Sequence, residues 1–390
     1  MHKNKTVLFI IPSYMPDIRN SKFIKSFYEK GFNVYVLAYE FRDFKIYKHI
    51  LDGVNNVKVY KIKSIFPTVN IPFNLFRDQK IKNYLNQIKP DIVLCRDIFL
   101  STFLTKNFKK KNPKTKFILD ICDNYPEVVE NIYGGIKGKF LGIVLNIVEK
   151  RALKLFDYIN FVSEYSFNYI IGKHKINGLN HTVILNVPLK PNLKFNSTNR
   201  NGMVYIGTID KGIRDIDTIL KAIKYLKEND EIYERLDIYY FQSDINLIEE
   251  YKSLSLKYGI EELINFYEAV ERTKLDEILV KYKIGIVPHC RNKATDFTIP
   301  NKLFDYISNG LAVLASDNPA MMDIINKYDI GMVYEGGNYI DCAFKMKRLL
   351  SEYYDKKYFN KGPMIIQKEL NWEYCFENFY NFLLRGEINY

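Results

Sequence analysis

Short apolar runs alternate with segments of helical period along the whole chain, and that alternation constrains the fold more than any other feature. Thr6–Ile11, Asn33–Ala38, Val57–Ile62, Ile92–Cys95, Phe117–Ile121, Tyr158–Val162 and Val183–Leu185 read as strands. Between them, helical spacing appears at Phe23, Ile24, Phe27 and Tyr28, with Gly31 as the stop, then over Leu75–Ile88, Leu100–Lys109 and residues 140–156. Ser163-Glu164 opens one more helix. A β/α alternation from the first residues implies parallel sheets with helices on their faces.

A second series starts after the polar, Pro- and Asn-rich stretch Asn186 to Asn201, the best linker in the chain. Strands are expected at Met203–Ile206, Leu236–Phe241, Ile264–Tyr267, Ile284–Val287 and Leu311–Ala315. Helices are expected at Thr218–Leu226, Leu247–Tyr258, Leu275–Tyr282, Met321–Ile325, Asp341–Leu350 and Trp372–Leu384. At 390 residues the chain exceeds one ordinary core. The expected division is 1–190, 191–368 and a terminal helix, 369–390, packing back on the first domain.

Residues 284–317, IGIVPHCRNKATDFTIPNKLFDYISNGLAVLASD, hold the most chemistry. A buried strand feeds a polar loop with Arg291, Lys293 and Asp296, then a short helix. Thr298 is the expected N-cap, Pro300 falls just inside, and Asn309-Gly310 stops the helix. A helix N-terminus at the carboxyl edge of such a sheet favours an anion, phosphate above all. Lys302 and Asp305 share one helix stripe, and a plain βαβ unit with a surface ion pair is the other reading. In GTIDKGIRD, Gly207 allows close backbone approach and Lys211 sets a cation beside it; a simple turn also fits. In the first half, LDICDNYPEVVE puts Asp120, Asp123 and Glu127 at a strand's carboxyl end, to orient a hydroxyl, act as a base or merely cap a loop.

The missing G-x-G-x-x-G removes the main argument for a dinucleotide cofactor. Five scattered cysteines without C-x-x-C give no metal site and fit a reducing cytoplasm. The apolar run Val7–Ile11 reads as a strand and not as a signal peptide. No run approaches the roughly 18 apolar residues of a spanning helix. A net charge of +12, densest in KNFKKKNPKTK (106–116), attracts anionic surfaces or substrates; no nucleic-acid motif accompanies it. For the apolar helix 140–156 with its Lys150, Arg151 and Lys154, core packing is the first reading and membrane docking the second.

The order of these signals resembles the family 4-like retaining glycosyltransferases of the GT-B fold over nearly the whole chain. VLFIIPSYMPD…FYEKGFNVYVLA is similar to that family's first βαβ, and VEKRALKLFDYINFVSE to its E-[basic]…D…V-S-E segment. MVYIGTIDKGIRDIDTILKAI resembles the opening of its nucleotide domain, and IPNKLFDYISNG its donor motif, P-[SN]-K-[apolar]-x-[acidic]-Y. The resemblance implies an α/β architecture of two Rossmann-like, doubly wound domains facing across a cleft. The first would hold the acceptor and the second a nucleotide-diphosphate sugar.

It implies Asp305 at the ribose, Lys211 and Lys302 at the diphosphate, and Gly207, Thr208, Arg214, Arg291, Lys293, Asp296, Phe297 and Asn301 lining the donor site. Asp123 joins Lys211 and Lys302 as a catalytic candidate. The family's two glutamates are replaced, the second by Asp305 and the first by Phe297 with Asp296 beside it. Thr208 stands where an arginine is common, so Lys211, Arg291 or Arg214 must compensate, and Cys122 replaces a basic or His residue before Asp123.

The expected activity is metal-independent, retaining, hexosyltransferase-type transfer to a cell-surface polysaccharide or lipid-linked glycan. It needs no cofactor besides the nucleotide-sugar substrate. The expected location is cytoplasmic, at the inner face of the cell membrane, with no nucleic-acid partner. A nucleotide-sugar 2-epimerase of the same fold and a non-catalytic sugar-nucleotide or polyanion-binding scaffold are the alternatives.

Overall fold

In the computed structural model, the residues described are 5–385 apart from 12–17, 41–50, 52, 56, 64–71, 191–198, 230, 232–233, 242–243 and 355–357. The centre of the expected linker and the SYMPD part of the first resembling segment therefore lie largely outside the described residues. The chain forms two compact units, residues 1–186 with 375–390, and residues 187–374.

The first unit runs β1 (Thr6–Ile11), α1 (Ile18–Glu29), β2 (Asn33–Glu40), β3 (Lys58–Lys63), α2 (Leu75–Ile88), β4 (Ile92–Arg96), α3 (Lys106–Lys111), β5 (Lys116–Ile121), α4 (Tyr125–Tyr133), α5 (Gly135–Leu155), β6 (Tyr158–Phe161), α6 (Glu164–His174) and β7 (His181–Val183). Its seven described strands are all parallel, in the order β3-β2-β1-β4-β5-β6-β7. The central strands are sealed on both faces, which is why their sequences are continuous apolar runs instead of alternating ones.

The second unit continues with β8 (Met203–Gly207), α7 (Ile216–Glu228), β9 (Leu236–Tyr240), α8 (Ile245–Lys257), β10 (Ile264–Glu268), α9 (Leu275–Leu279), β11 (Ile284–Val287), α10 (Asn301–Ser308), β12 (Ala312–Ser316), α11 (Pro319–Tyr328), β13 (Gly331–Tyr334), α12 (Tyr339–Tyr354), α13 (Lys361–Lys368) and α14 (Trp372–Arg385). Its six described strands are parallel, in the order β10-β9-β8-β11-β12-β13. The order reverses direction beside β8 and β11, and a doubly wound sheet binds ligands at such a switch point. From Cys375 onward α14 belongs to the first unit, where Phe376 and Phe379 meet Phe27 and Phe23 edge-on.

Several boundaries differ from the sequence reading. The helix expected over Leu100–Lys109 is a 3-10 segment, Ile98–Phe103, followed by a separate α3. Leu104 is extended between them, and Thr105 caps the new start by accepting from Phe108 N. Thr298 does not cap α10: its hydroxyl donates to the Thr295 carbonyl, and Pro300 is the capping residue, with α10 starting at Asn301. The third strand from the end of the first unit's series fits, but β7 lies two residues earlier than expected. The helical pattern from Leu275 stops at Leu279 instead of Tyr282, and β13 and α13 were not expected at all. The apolar helix is longer than expected, and one side of its first turns is not core: Ile136, Phe140, Ile143 and Ile147 are exposed. Among the described residues no helix is long and apolar enough to cross a membrane.

Candidate donor site

Tyr306 fixes the carboxyl ends of β8 and β11. It is fully buried on α10, its hydroxyl accepts from Ile206 N at 3.0 Å, and its ring lies where any side chain at Gly285 would be. That packing brings the first turn of α10 against the end of β8. There the Lys302 ammonium lies 4.0 Å from the centroid of the Tyr205 ring, over its face. A Cβ built on Gly207 would meet Lys302 Nζ at 2.3 Å, and Gly207 has φ +150°. Glycine is required here by both space and backbone.

Two more nitrogen-bearing side chains share this spot. Arg214 and His289 pair as an isolated antiparallel bridge between the loops after β8 and β11, and Arg214 lies against the Tyr205 hydroxyl. Nε and Nη1 of Arg214, both ring nitrogens of His289, and Lys302 Nζ are all buried without a hydrogen-bond partner in the chain. Buried orphan polar groups are uncommon in proteins, and orphan donors gathered in one place signal a ligand. Burial, helped by Arg214, pushes the Lys302 ammonium well below its ordinary range. Burial likewise lowers His289, aided by Arg214 and Lys302, so its ring is neutral. Three cationic or potentially cationic groups held together at this cost make a site for a polyanion. No side chain caps α10, so its N-terminal dipole adds to the same field.

One turn along α10, Asp305 is nearly buried and its two oxygens accept from Arg272 Nη1 and Nη2 at 2.7 and 2.6 Å. The carboxylate expected at the ribose is thus already held by a guanidinium, and Lys302 is not its surface partner. The reading of a surface Lys–Asp pair is overturned, because Lys302 turns inward onto Tyr205 and Asp305 turns to Arg272.

Other expected residues lie apart from the cluster. Lys211 is exposed and paired with Glu250 at 2.5 Å, so Arg214, not Lys211, occupies the buried position. Arg291 is engaged by Asp296 of its own loop at 2.8 Å and by Asp317, just after β12, at 2.7 Å, while Asn318 donates to Asp296 at 3.1 Å. Lys293 is exposed, Phe297 is buried, and Asn301 is exposed on the first turn of α10. Thr208 contributes its carbonyl, which accepts from Tyr205 at 2.6 Å. His289 and Arg272 were missed: a single His after a strand has no spacing signal, and Arg272 comes from a distant loop.

In the first unit the carboxylates after β5 separate by role. Asp120 is clasped by Arg19 Nε and Nη2 at 2.8 and 2.7 Å; although burial pushes its carboxyl up, Arg19 brings it below its ordinary value. Glu127 accepts from Tyr169 and Lys173. Both are engaged within the fold, which leaves Asp123 as the exposed one of the three. Beside it lies Asp97, buried, with φ 62° and ψ 157°, accepting from the Tyr125 hydroxyl at 2.8 Å. Burial, opposed by Arg96 and aided by Asp123, pushes the Asp97 carboxyl up to about 6. Among the described residues no group of three or more His, Cys, Asp or Glu is placed to hold a metal ion.

Residues 191–362 match the family model of glycosyl transferases group 1. No curated protein matches the chain by sequence. Among solved structures, sucrose-phosphate synthase from Thermosynechococcus elongatus superposes with a TM-score of 0.72 at 12% identity, over 98% of this chain and 100% of that one. The lipopolysaccharide outer core galactosyltransferase WaaB in its apo form gives 0.69 at 16% identity, over 98% and 99%. Anabaena HepE in complex with UDP-glucose gives 0.67 at 12% identity, over 98% and 100%. At such identities the structures establish the two-domain GT-B fold. The chain therefore has the two-domain GT-B fold, and its second unit carries a glycosyl transferases group 1 domain.

Proposed function

We propose that the protein moves a hexosyl group, with retention, from a nucleotide-diphosphate sugar to a polysaccharide or lipid-linked glycan at the cytoplasmic face of a membrane. The observation that carries this reading is the set of buried, unpartnered nitrogens of Arg214, His289 and Lys302 at Gly207. The same fold in HepE, a protein solved with UDP-glucose, supports a nucleotide-sugar donor.

In this reading the diphosphate lies against Gly207, where the absence of a side chain lets phosphate oxygens reach Lys302 Nζ and the Arg214 guanidinium. The glycosyl C1–O bond breaks, the bonding pair stays on the departing phosphate oxygen, and the acceptor hydroxyl oxygen bonds C1 from the same face. The hydroxyl proton passes to the leaving phosphate. Negative charge grows on the diphosphate as the bond breaks, so donors fixed there favour the transition state over the ground state. Losing one such donor typically slows the reaction by about 100–1,000-fold. Arg214 and Lys302 take the part a metal ion would otherwise play. Asp123 orients the acceptor hydroxyl, and the Asp305–Arg272 pair frames the nucleoside.

A thermal-shift panel of UDP-, GDP-, ADP- and CMP-sugars tests it. One donor at about 100 times its Kd should stabilise the protein by about 2.7 kcal/mol, and the shift should vanish in Arg214→Ala. No shift with any donor sinks the reading. Isomerisation of the donor without an acceptor would make the protein an epimerase, and binding without turnover over a wide acceptor panel a scaffold.

A further inference from the structure

The first three turns of α5 are apolar on both sides. One side is small and packed: a Cβ on Gly138 would meet the Glu130 carbonyl oxygen at 2.7 Å, and one on Gly142 the Pro126 carbonyl oxygen at 3.3 Å. With Leu145 and Val148 buried on the same side, α5 seals against α4 and the core. The other side carries Ile136, Phe140, Ile143 and Ile147, which are 90%, 64%, 60% and 60% exposed. Their spacing of four, three and four residues puts them in one narrow stripe along the helix. Ile132 and Tyr133, at the end of α4, are also exposed. A helix that is apolar all round is normally buried, and a contiguous apolar surface rimmed by polar groups marks an interaction site.

The rim says what covers it. Lys137, Lys139, Lys150 and Lys154 are exposed on the same helix, and Lys137 lies 4.9 Å from the Tyr133 ring centroid. The only acidic residue of α5, Glu149, is fully buried against Lys173 and His174. Beyond Ile147 the stripe runs into a groove of about 590 Å³ lined by Lys106, Lys150, Arg151 and Lys154 over an aliphatic floor. A second copy of the chain would bring the same lysines against themselves across a two-fold axis, which repels. An anionic bilayer matches both parts: acyl chains for the stripe and headgroup phosphates for the lysines.

We propose that the exposed face of α5, from Ile136 to Lys154, is a docking surface for an anionic lipid bilayer. The stripe enters the acyl boundary and Lys139, Lys150 and Lys154 sit at the phosphates, with the first three turns lying flat in the interface. This deepens the reading of a lipid-linked acceptor and rests on it only for its purpose, not for the binding itself.

Flotation of the full chain with vesicles tests the surface. Wild-type protein should float with vesicles of equal parts phosphatidylglycerol and phosphatidylcholine, less at high salt, and far less with phosphatidylcholine alone. Ile136→Ser with Phe140→Ser should lose flotation, and so should Lys150→Glu with Lys154→Glu, a pair of surface changes that leaves the packed face intact. In both variants the donor-induced thermal shift should stay as in wild type, which separates this surface from the donor site. No wild-type flotation, or flotation equal in all three proteins, overturns the proposal. So does a wild-type dimer that the Ile136→Ser, Phe140→Ser protein loses together with flotation, since the stripe would then be a contact between copies.

Discussion

Lys302 is held where an ammonium is least comfortable, over an aromatic face and against a glycine that cannot be anything larger. Gly207→Ala should displace it and strain the backbone, lowering stability by about 1–3 kcal/mol and weakening nucleotide binding at least tenfold in calorimetry. Unchanged binding would show that the ligand does not pass over Gly207. Asp97 gives a pH prediction of definite sign. Its carboxyl is raised in the fold from an ordinary 3.8 to about 6, so the folded state holds the proton more tightly between those values. Its contribution is therefore unfavourable at neutral pH and is relieved as pH falls through about 6 toward 4. In urea unfolding, wild type should gain on Asp97→Asn between pH 7 and pH 4, by at most about 3 kcal/mol. Parallel stability curves would mean that Asp97 is not the group that titrates.

At the scale of elements, the site depends on how α10 is seated. Tyr306 bridges β8 to β11, and Arg272, from the loop before α9, holds Asp305 from outside. Arg272→Ala leaves Asp305 without its bidentate partner, so it should cost stability by about 1–3 kcal/mol and weaken nucleoside binding more than inorganic pyrophosphate binding. Equal losses for both ligands would contradict the division of roles between Asp305 and Lys302. Much of this element-level frame was legible. Strands sealed on both faces write themselves as continuous apolar runs, so β1, β4, β5, β8 and β11 were placed within a residue or two. Boundaries set by one local hydrogen bond were not. Thr298 looks like an N-cap, but its hydroxyl turns back to Thr295, and the break at Leu104 follows from backbone that no periodicity records.

At the scale of the whole molecule, the resemblance and the alternation pointed to the same two-domain α/β frame, and the fold likeness agrees. The site residues were read less well, for a physical reason. Sequence shows which cations are present near a loop, not which are neutralised by neighbours. Lys211 and Arg291 looked like phosphate ligands, yet Glu250, Asp296 and Asp317 engage them. Arg214 was one candidate among several, and His289 was none. Likewise, the apolar character of α5 was visible while the side left uncovered was not, because only packing decides that Gly138 and Gly142 face inward.

The central claim is that Arg214, His289 and Lys302 form the diphosphate site of the donor. Lys302 and His289 are pushed toward their neutral forms by burial and by the neighbouring Arg214 charge, and a bound polyanion reverses that push. Calorimetry of the cognate nucleoside diphosphate in buffers of different ionisation enthalpy measures affinity and protons together. Wild type should take up protons on binding near neutral pH, and Lys302→Met should bind at least 100-fold more weakly with less uptake. Equal affinity and equal proton uptake in wild type and Lys302→Met would contradict the account.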